Sequence, residues 1–220
     1  MIFRDYHLKK LSKFRLAIVA VLIHAQRMRK IWILPAIIIA TVILFRVIAA
    51  NEFLPNFSPL PALFLCSLIF LRGTKAWLLP VSAWVITDPV VSLIQGYPII
   101  GPHHLGIALG LSATIGLGLW LRKHQTAPVA LLGSVGAAVA FYLITNTLVF
   151  FGSPLYPNNL AGFVQAQWTG PVGYGPTWMF LRNLLAANLV FTGIFLAARH
   201  TFAIPAATAS SPEQAAANAR

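Results

Sequence analysis

Twenty consecutive residues, Ala76 to Gln95, read AWLLPVSAWVITDPVVSLIQ and contain a single ionisable side chain, Asp88. At about 1.5 Å per residue such a helix matches a hydrocarbon core of about 30 Å. Asp88 is the only acidic residue inside an apolar stretch of this chain. A carboxylate at bilayer depth costs roughly 2.5–3.5 kcal/mol on insertion scales, so it is expected to face a cavity or a partner rather than lipid. Pro89 follows directly, and a proline there removes a backbone donor and frees a carbonyl one turn back. The stretch therefore reads as the inner wall of a polar site. The plainer reading is a structural ion pair with an arginine of another helix.

The rest of the chain supports an all-α, polytopic transmembrane bundle. Of 220 residues, 58% are hydrophobic and only 9% charged. Mean hydropathy is +0.78, whereas a soluble domain carries about 25% charge. The net charge of +12 does not point to nucleic acid, because eight of the sixteen Lys and Arg lie before residue 31 and most others fall in short loops. That placement is the signature of topology and of anionic lipid headgroups; a basic face with aromatic stacking platforms is not visible. The single cysteine, Cys66, excludes an internal disulfide and a cysteine-based metal site.

Residues 1–30 form a basic extension with a short apolar core, Leu16–Ile23, expected to lie as an amphipathic helix on the cytoplasmic surface. Met28 offers an alternative start, since MRKIWILP is an ordinary opening for a first span. A six-span membrane domain is expected over 31–200, followed by a disordered cytoplasmic tail over 201–220, rich in alanine. The predicted spans are Ile31–Ala50, a short Ala62–Leu71, Ala76–Gln95, His104–Leu121, Pro128–Phe151 and Thr177–Ala198. The second is too short to cross alone, so Leu54–Pro61 is expected to enter the membrane as irregular backbone lining a cavity. Small residues in spans four and five, beginning with Gly106-x-x-x-Gly110, predict closely packed helices. The charge-free segment Gly152–Pro176, with Tyr156, Phe163, Trp168 and Tyr174, is expected to fold as a lid. The basic N-terminal region and the 72–75, 122–124 and 199–200 positions fall on one side, while the loops 51–58, 96–103 and 152–176 contain no Lys or Arg. The positive-inside rule then places both termini in the cytoplasm.

With this orientation the polar groups collect at mid-depth or in the outer half. Arg46 lies about 22 Å along span one and Asp88 about 18 Å along span three. Asn146 sits near the outer end of span five with Tyr142 one turn below, and Arg182-Asn183 lie just inside the outer start of span six. Asn188 lies near mid-membrane, and the cytoplasmic half is almost pure hydrocarbon. The expected substrate-binding set is Arg46, Asn56, Trp84, Asp88, Tyr142, Asn146, Arg182 and Asn183, with Trp84 and the aromatic loop as apolar walls. One carboxylate and two arginines suit a zwitterion, or a solute with amide and hydroxyl groups. Asp88 with His103-His104 is a weak metal pattern, and no catalytic triad order, phosphate-binding glycine loop or HExxH occurs. No cofactor, no metal and no enzymatic activity are expected.

Arg46, then Leu54-Pro55-Asn56-Phe57-Ser58-Pro59, Asp88, Thr145-Asn146 with Tyr156-Pro157, and Arg182-Asn183 resemble a family of small six-span bacterial inner-membrane proteins of unassigned function. That family in turn resembles the substrate-binding S components of energy-coupling-factor vitamin transporters. The resemblance spans about residues 31–198. It implies a six-helix fold with an outward pocket capped by loops, and as partners a transmembrane coupling subunit and cytoplasmic ATPases. Docking of that kind uses small residues on the first span, for which Ala36-x-x-x-Ala40 is available. Asn188 stands where the pattern has an acidic residue, and the first thirty residues are additional. The expected function is binding or uptake of a small vitamin-like or nucleobase-like solute. The alternatives are a structural or assembly subunit without a ligand, and a membrane enzyme acting on lipid through Asp88 and His103 or His104.

Overall fold

The computed structural model describes residues 40–50 and 54–201. The N-terminal extension, the alternative start at Met28, the first part of span one and the C-terminal tail lie outside the described residues. Within them the chain forms seven helices and no strands: α1 (Ala40–Ala50), α2 (Leu60–Phe70), α3 (Lys75–Ile94), α4 (His103–Leu121), α5 (Ala127–Gly152), α6 (Leu160–Gln167) and α7 (Trp178–Thr201). Among these, α3, α4, α5 and the 178–199 part of α7 are long and apolar enough to cross a membrane.

The short α2 is the centre of the bundle. Every residue from Leu60 to Ile69 is buried, and α2 packs on α3, α4, α5 and α7. A helix apolar all round has to sit inside other helices, and eleven residues reach only about 16 Å. It starts where Pro61, lacking an N–H, costs nothing in the first turn. Before it the chain turns tightly, with the Phe57 N–H donating to the Leu54 carbonyl. Asn56 adopts φ +62°, a left-handed conformation that asparagine tolerates better than most residues. The segment expected to be irregular is thus irregular, and it delivers α2 into the core.

Glycine sets the approach of α4 to its neighbours. A Cβ on Gly110 would come within 2.6 Å of the Phe141 ring, and one on Gly118 within 3.1 Å of Leu68. On α5, a Cβ on Gly133 would meet Leu121 at 2.6 Å. These positions are contact points, as the small-residue spacing anticipated. The outward faces are apolar: Val85, Ile86, Leu105, Trp120, Leu132 and Leu143 are all exposed.

The 153–177 segment is folded rather than slack. The Asn159 side chain caps α6 by accepting from the Gly162 N–H at 2.9 Å. The Tyr142 hydroxyl on α5 donates to the Gln167 carbonyl, and Gln167 Nε2 donates to Thr147 Oγ1 at 3.3 Å. Phe163 packs edge-on against Phe150 with ring centroids 5.5 Å apart. α6 is therefore fastened along one face of α5.

Candidate functional site

A cavity of about 490 Å³ opens at the end of the bundle where the loops carry no Lys or Arg. Its walls follow helical spacing on four elements. α1 gives Arg46, Ala49 and Ala50, and α3 gives Asp88, Val91, Ser92 and Gln95. α4 gives His103, Gly106 and Ile107, and α5 gives the stripe Phe141, Thr145, Leu148, Val149 and Gly152. Offsets of three, four and seven residues lie on one face of a helix. The turn before α2 closes the site with Asn56, Phe57 and Ser58.

Two backbone features shape the end of α3 beside this space. α3 ends in a left-handed glycine, Gly96 at φ +72°, with Tyr97 N–H donating to the Ser92 carbonyl at 2.8 Å and Gly96 N–H to the Leu93 carbonyl. This closure stops the helix one turn after Ser92 and leaves Gln95 and Tyr97 at the rim. Pro89 sits in the preceding turn, where its missing N–H is tolerated inside the packed bundle.

The polar centre is a chain of three side chains from three helices. Arg46 Nη2 donates to Asp88 Oδ1 at 3.1 Å, and His104 Nε2 lies 2.7 Å from Asp88 Oδ2. Arg46 is 8% exposed and Asp88 6%. Because Nε2 faces a carboxylate, it carries the ring proton. Nδ1 lies 3.2 Å from the Gly101 amide nitrogen and 3.1 Å from the Gly101 carbonyl oxygen, so both ring nitrogens have a partner. His104 is thereby fully engaged in bonds to the protein. Its neighbour His103, whose ring centroid lies 4.1 Å from that of His104, lines the cavity instead. Among the described residues no three His, Cys, Asp or Glu side chains are grouped to hold a metal ion.

The residues expected at a binding site divide into two groups. Arg46, Asn56 and Asp88 line the cavity. Trp84, Tyr142, Asn146, Arg182 and Asn183 do not. Trp84 lies one turn nearer the start of α3 than Asp88 and packs on the central apolar cluster. Tyr142 and Asn146 share a face of α5 directed away from the cavity. Tyr142 holds α6, and Asn146 Nδ2 returns to the Tyr142 carbonyl at 3.0 Å. The neighbouring face, carrying Phe141 and Thr145, is the one that meets the space; one residue of offset turns a side chain by about 100°. The aromatic loop also stays off the wall, because α6 is fastened along α5. The apolar walls come from Phe57, Leu60, Ile107 and Phe141.

Arg182 and Asn183 act at one remove. Arg182 Nε and Nη2 both donate to Asn183 Oδ1 at 3.1 Å, and Asn183 Nδ2 donates to the Pro55 carbonyl at 2.9 Å. The Arg182 guanidinium also lies 5.4 Å from the Trp178 ring centroid. Together they tie the 54–58 turn, and with it Asn56 and Phe57, to α7. Asn183→Ala is expected to leave the Pro55 carbonyl and two arginine donors without partners, a cost of about 1–3 kcal/mol. The loss should be local, read as faster hydrogen exchange at the Phe57 and Ser58 amides with the rest of the bundle unchanged. Unchanged exchange at both amides would show that the strut does not hold the turn.

Ser92 and Gln95 were not singled out from the sequence, Thr145 entered only through the Thr145-Asn146 motif, and His103 only as a metal ligand or acid/base group. Ser92 and Gln95 were within reach, four and seven residues after Asp88 on the same helical face. The sequence reading joined His104 to Asp88 only as a metal ligand or acid/base partner; its direct hydrogen bond to that carboxylate is a finding of the structure.

An all-helical bundle with four helices long and apolar enough to cross a bilayer defines a multi-pass membrane protein. Within that class, residues 26–209 match the model of a family of unknown function, DUF6580, and the chain belongs to that family. No curated protein and no solved structure matches the chain.

Proposed function

We propose that this protein is a solute-binding component of the bacterial inner membrane, with six spans, both termini cytoplasmic and its cavity facing outward. The reading rests on one observation above others. A cavity of about 490 Å³, within the range of roughly 300–1,000 Å³ for small-molecule pockets, is walled by four helices around a buried Arg46–Asp88 pair. It opens on the side whose loops lack Lys and Arg, the outer side under the positive-inside rule. The resemblance to S components of vitamin transporters agrees with this placement. It would supply a transmembrane coupling subunit with ATPases as the source of energy for uptake of a vitamin-like or nucleobase-like solute.

The test is a thermal-shift screen of detergent-purified protein against vitamins, their precursors, nucleosides and amino acids. A ligand at a hundred times its Kd adds about 2.7 kcal/mol of stability. Val91→Trp serves as the control, since Val91 is half-buried on the cavity wall and a tryptophan there fills the space. A compound that raises the melting temperature of the parent and not of Val91→Trp is the expected result. A screen without any shift would favour the structural reading, in which the Arg46–Asp88–His104 chain only pins α1, α3 and α4 together. The observed ion pair gives that reading its support. The lipid-enzyme reading has less at His104, whose two ring nitrogens are both bonded within the protein, and would fall to His103 on the cavity wall.

A further inference from the structure

The charges around the cavity are already spent, and this constrains what can enter. Both Asp88 oxygens are occupied, Oδ1 by Arg46 and Oδ2 by His104. An entering ammonium group would therefore meet a carboxylate whose charge Arg46 already balances. The Arg46 charge is balanced by Asp88 at 3.1 Å. With that pair balanced, an entering carboxylate would bring into an apolar, helix-walled space a negative charge that finds no free counter-charge among the described residues. No other Asp, Glu, Lys or Arg lines the cavity among the described residues. The remaining titratable groups on the wall are His103 on α4 and Tyr97 in the loop before it, their ring centroids 5.3 Å apart.

Two buried donors just behind this wall nevertheless lack partners. Arg46 is more than nine-tenths buried and uses Nη2 on Asp88, while its Nη1 has no hydrogen-bond partner among the described residues. His103 Nε2 is likewise buried without one. A buried guanidinium N–H left unpaired is costly, and an acceptor oxygen on a ligand removes the cost. Ser92, Gln95 and Thr145 add neutral hydrogen-bonding groups, and Phe57, Ile107 and Phe141 add apolar surface.

Accepting the binding role proposed above, we infer that the ligand is an uncharged molecule with an apolar ring body and a carbonyl or amide oxygen that accepts from Arg46 Nη1. Amino acids and other zwitterions are excluded as ligands because neither pole finds a free counter-charge among the described residues. Free organic acids and amines are excluded for the corresponding half of that reason.

Matched trios test the inference, each keeping one ring body and changing only the head group. They are benzamide, benzoate and benzylamine; nicotinamide, nicotinate and picolylamine; and naphthamide, naphthoate and naphthylmethylamine. The purified parent protein is titrated with each at neutral pH, and the shift in melting temperature is recorded. The amide of a trio is expected to bind at least about tenfold more tightly than its acid and its amine, the equivalent of one charge-assisted hydrogen bond. His103→Phe, which leaves the Arg46–Asp88 pair intact, is expected to weaken the amide relative to the parent. An acid or an amine that outranks its amide would overturn the ligand class while leaving a binding site in place. No shift from any of the nine, with Val91→Trp equally unresponsive, would count against the site itself and remove the basis of both readings.

Discussion

Asp88→Ala is expected to be the most damaging single substitution in the membrane domain, costing about 3–5 kcal/mol. Removing the carboxylate leaves Arg46, 8% exposed, as a buried cation without a counter-charge and leaves His104 Nε2 without its acceptor at 2.7 Å. The penalty is that of the stranded partner more than of the bond itself. The double substitution Arg46→Met with Asp88→Leu is therefore expected to recover most of the loss, since two apolar side chains of similar reach replace both charges. Unfolding in mixed micelles of rising sodium dodecyl sulfate, followed by helicity, measures all three proteins. If Asp88→Ala lost less than about 1 kcal/mol, the pair would behave as an exposed surface bridge, and the buried geometry described above would be wrong. The same double variant bears on function, because it retains the fold while removing the donor assigned to the ligand. Stability and binding are expected to separate in it.

Gly162→Ala comes second, and its effect should be confined to the 153–177 segment. A Cβ at this position would lie 1.9 Å from the Pro157 carbonyl oxygen and 2.9 Å from its carbon. The obstacle is backbone, so no side-chain rotation relieves it. Either α6 moves away from the 157–159 turn or the Asn159 cap on the Gly162 N–H is lost. Overpacking of this kind costs about 1–3 kcal/mol and occasionally more, and the rigid obstacle argues for the upper end. Because α6 is held to α5 by Tyr142 and Gln167, the expected readout is new protease cleavage within 153–177. Helix content should change little. Cleavage at the parent's rate would mean that α6 does not depend on this close approach.

Much of the architecture was legible because it depends on local pattern. The limits of α3, α4 and α5 fall within a residue of the apolar stretches read from the chain, since hydropathy and the proline and glycine signals act over a few residues. The close packing of α4 was legible in Gly106 and Gly110 for the same reason. The shortness of α2 was legible as well, and with it the need for irregular backbone before it. The site was legible only in part. Arg46, Asn56 and Asp88 were conspicuous because charge or strained turn chemistry inside a bilayer is costly wherever it occurs. Tyr142 and Asn146 were equally conspicuous as polar residues at the right depth, yet Tyr142 holds α6 and Asn146 bonds back to its own helix.

By itself the sequence determined that this chain is a helical membrane protein, which stretches become its helices, and which side of the bundle gathers the polar groups. Hydrophobic burial and backbone satisfaction in a bilayer leave few other solutions for so apolar a chain. Only the tertiary structure decided how each helix is rotated about its axis, and the details of the site follow from that rotation. It selected Thr145 over Asn146, turned Arg182 and Asn183 into a strut for the Pro55 turn, and brought His104 to Asp88. The decisive bonds join residues 16, 42 and 128 positions apart. Partners so distant are chosen by packing between helices, which no local spacing encodes.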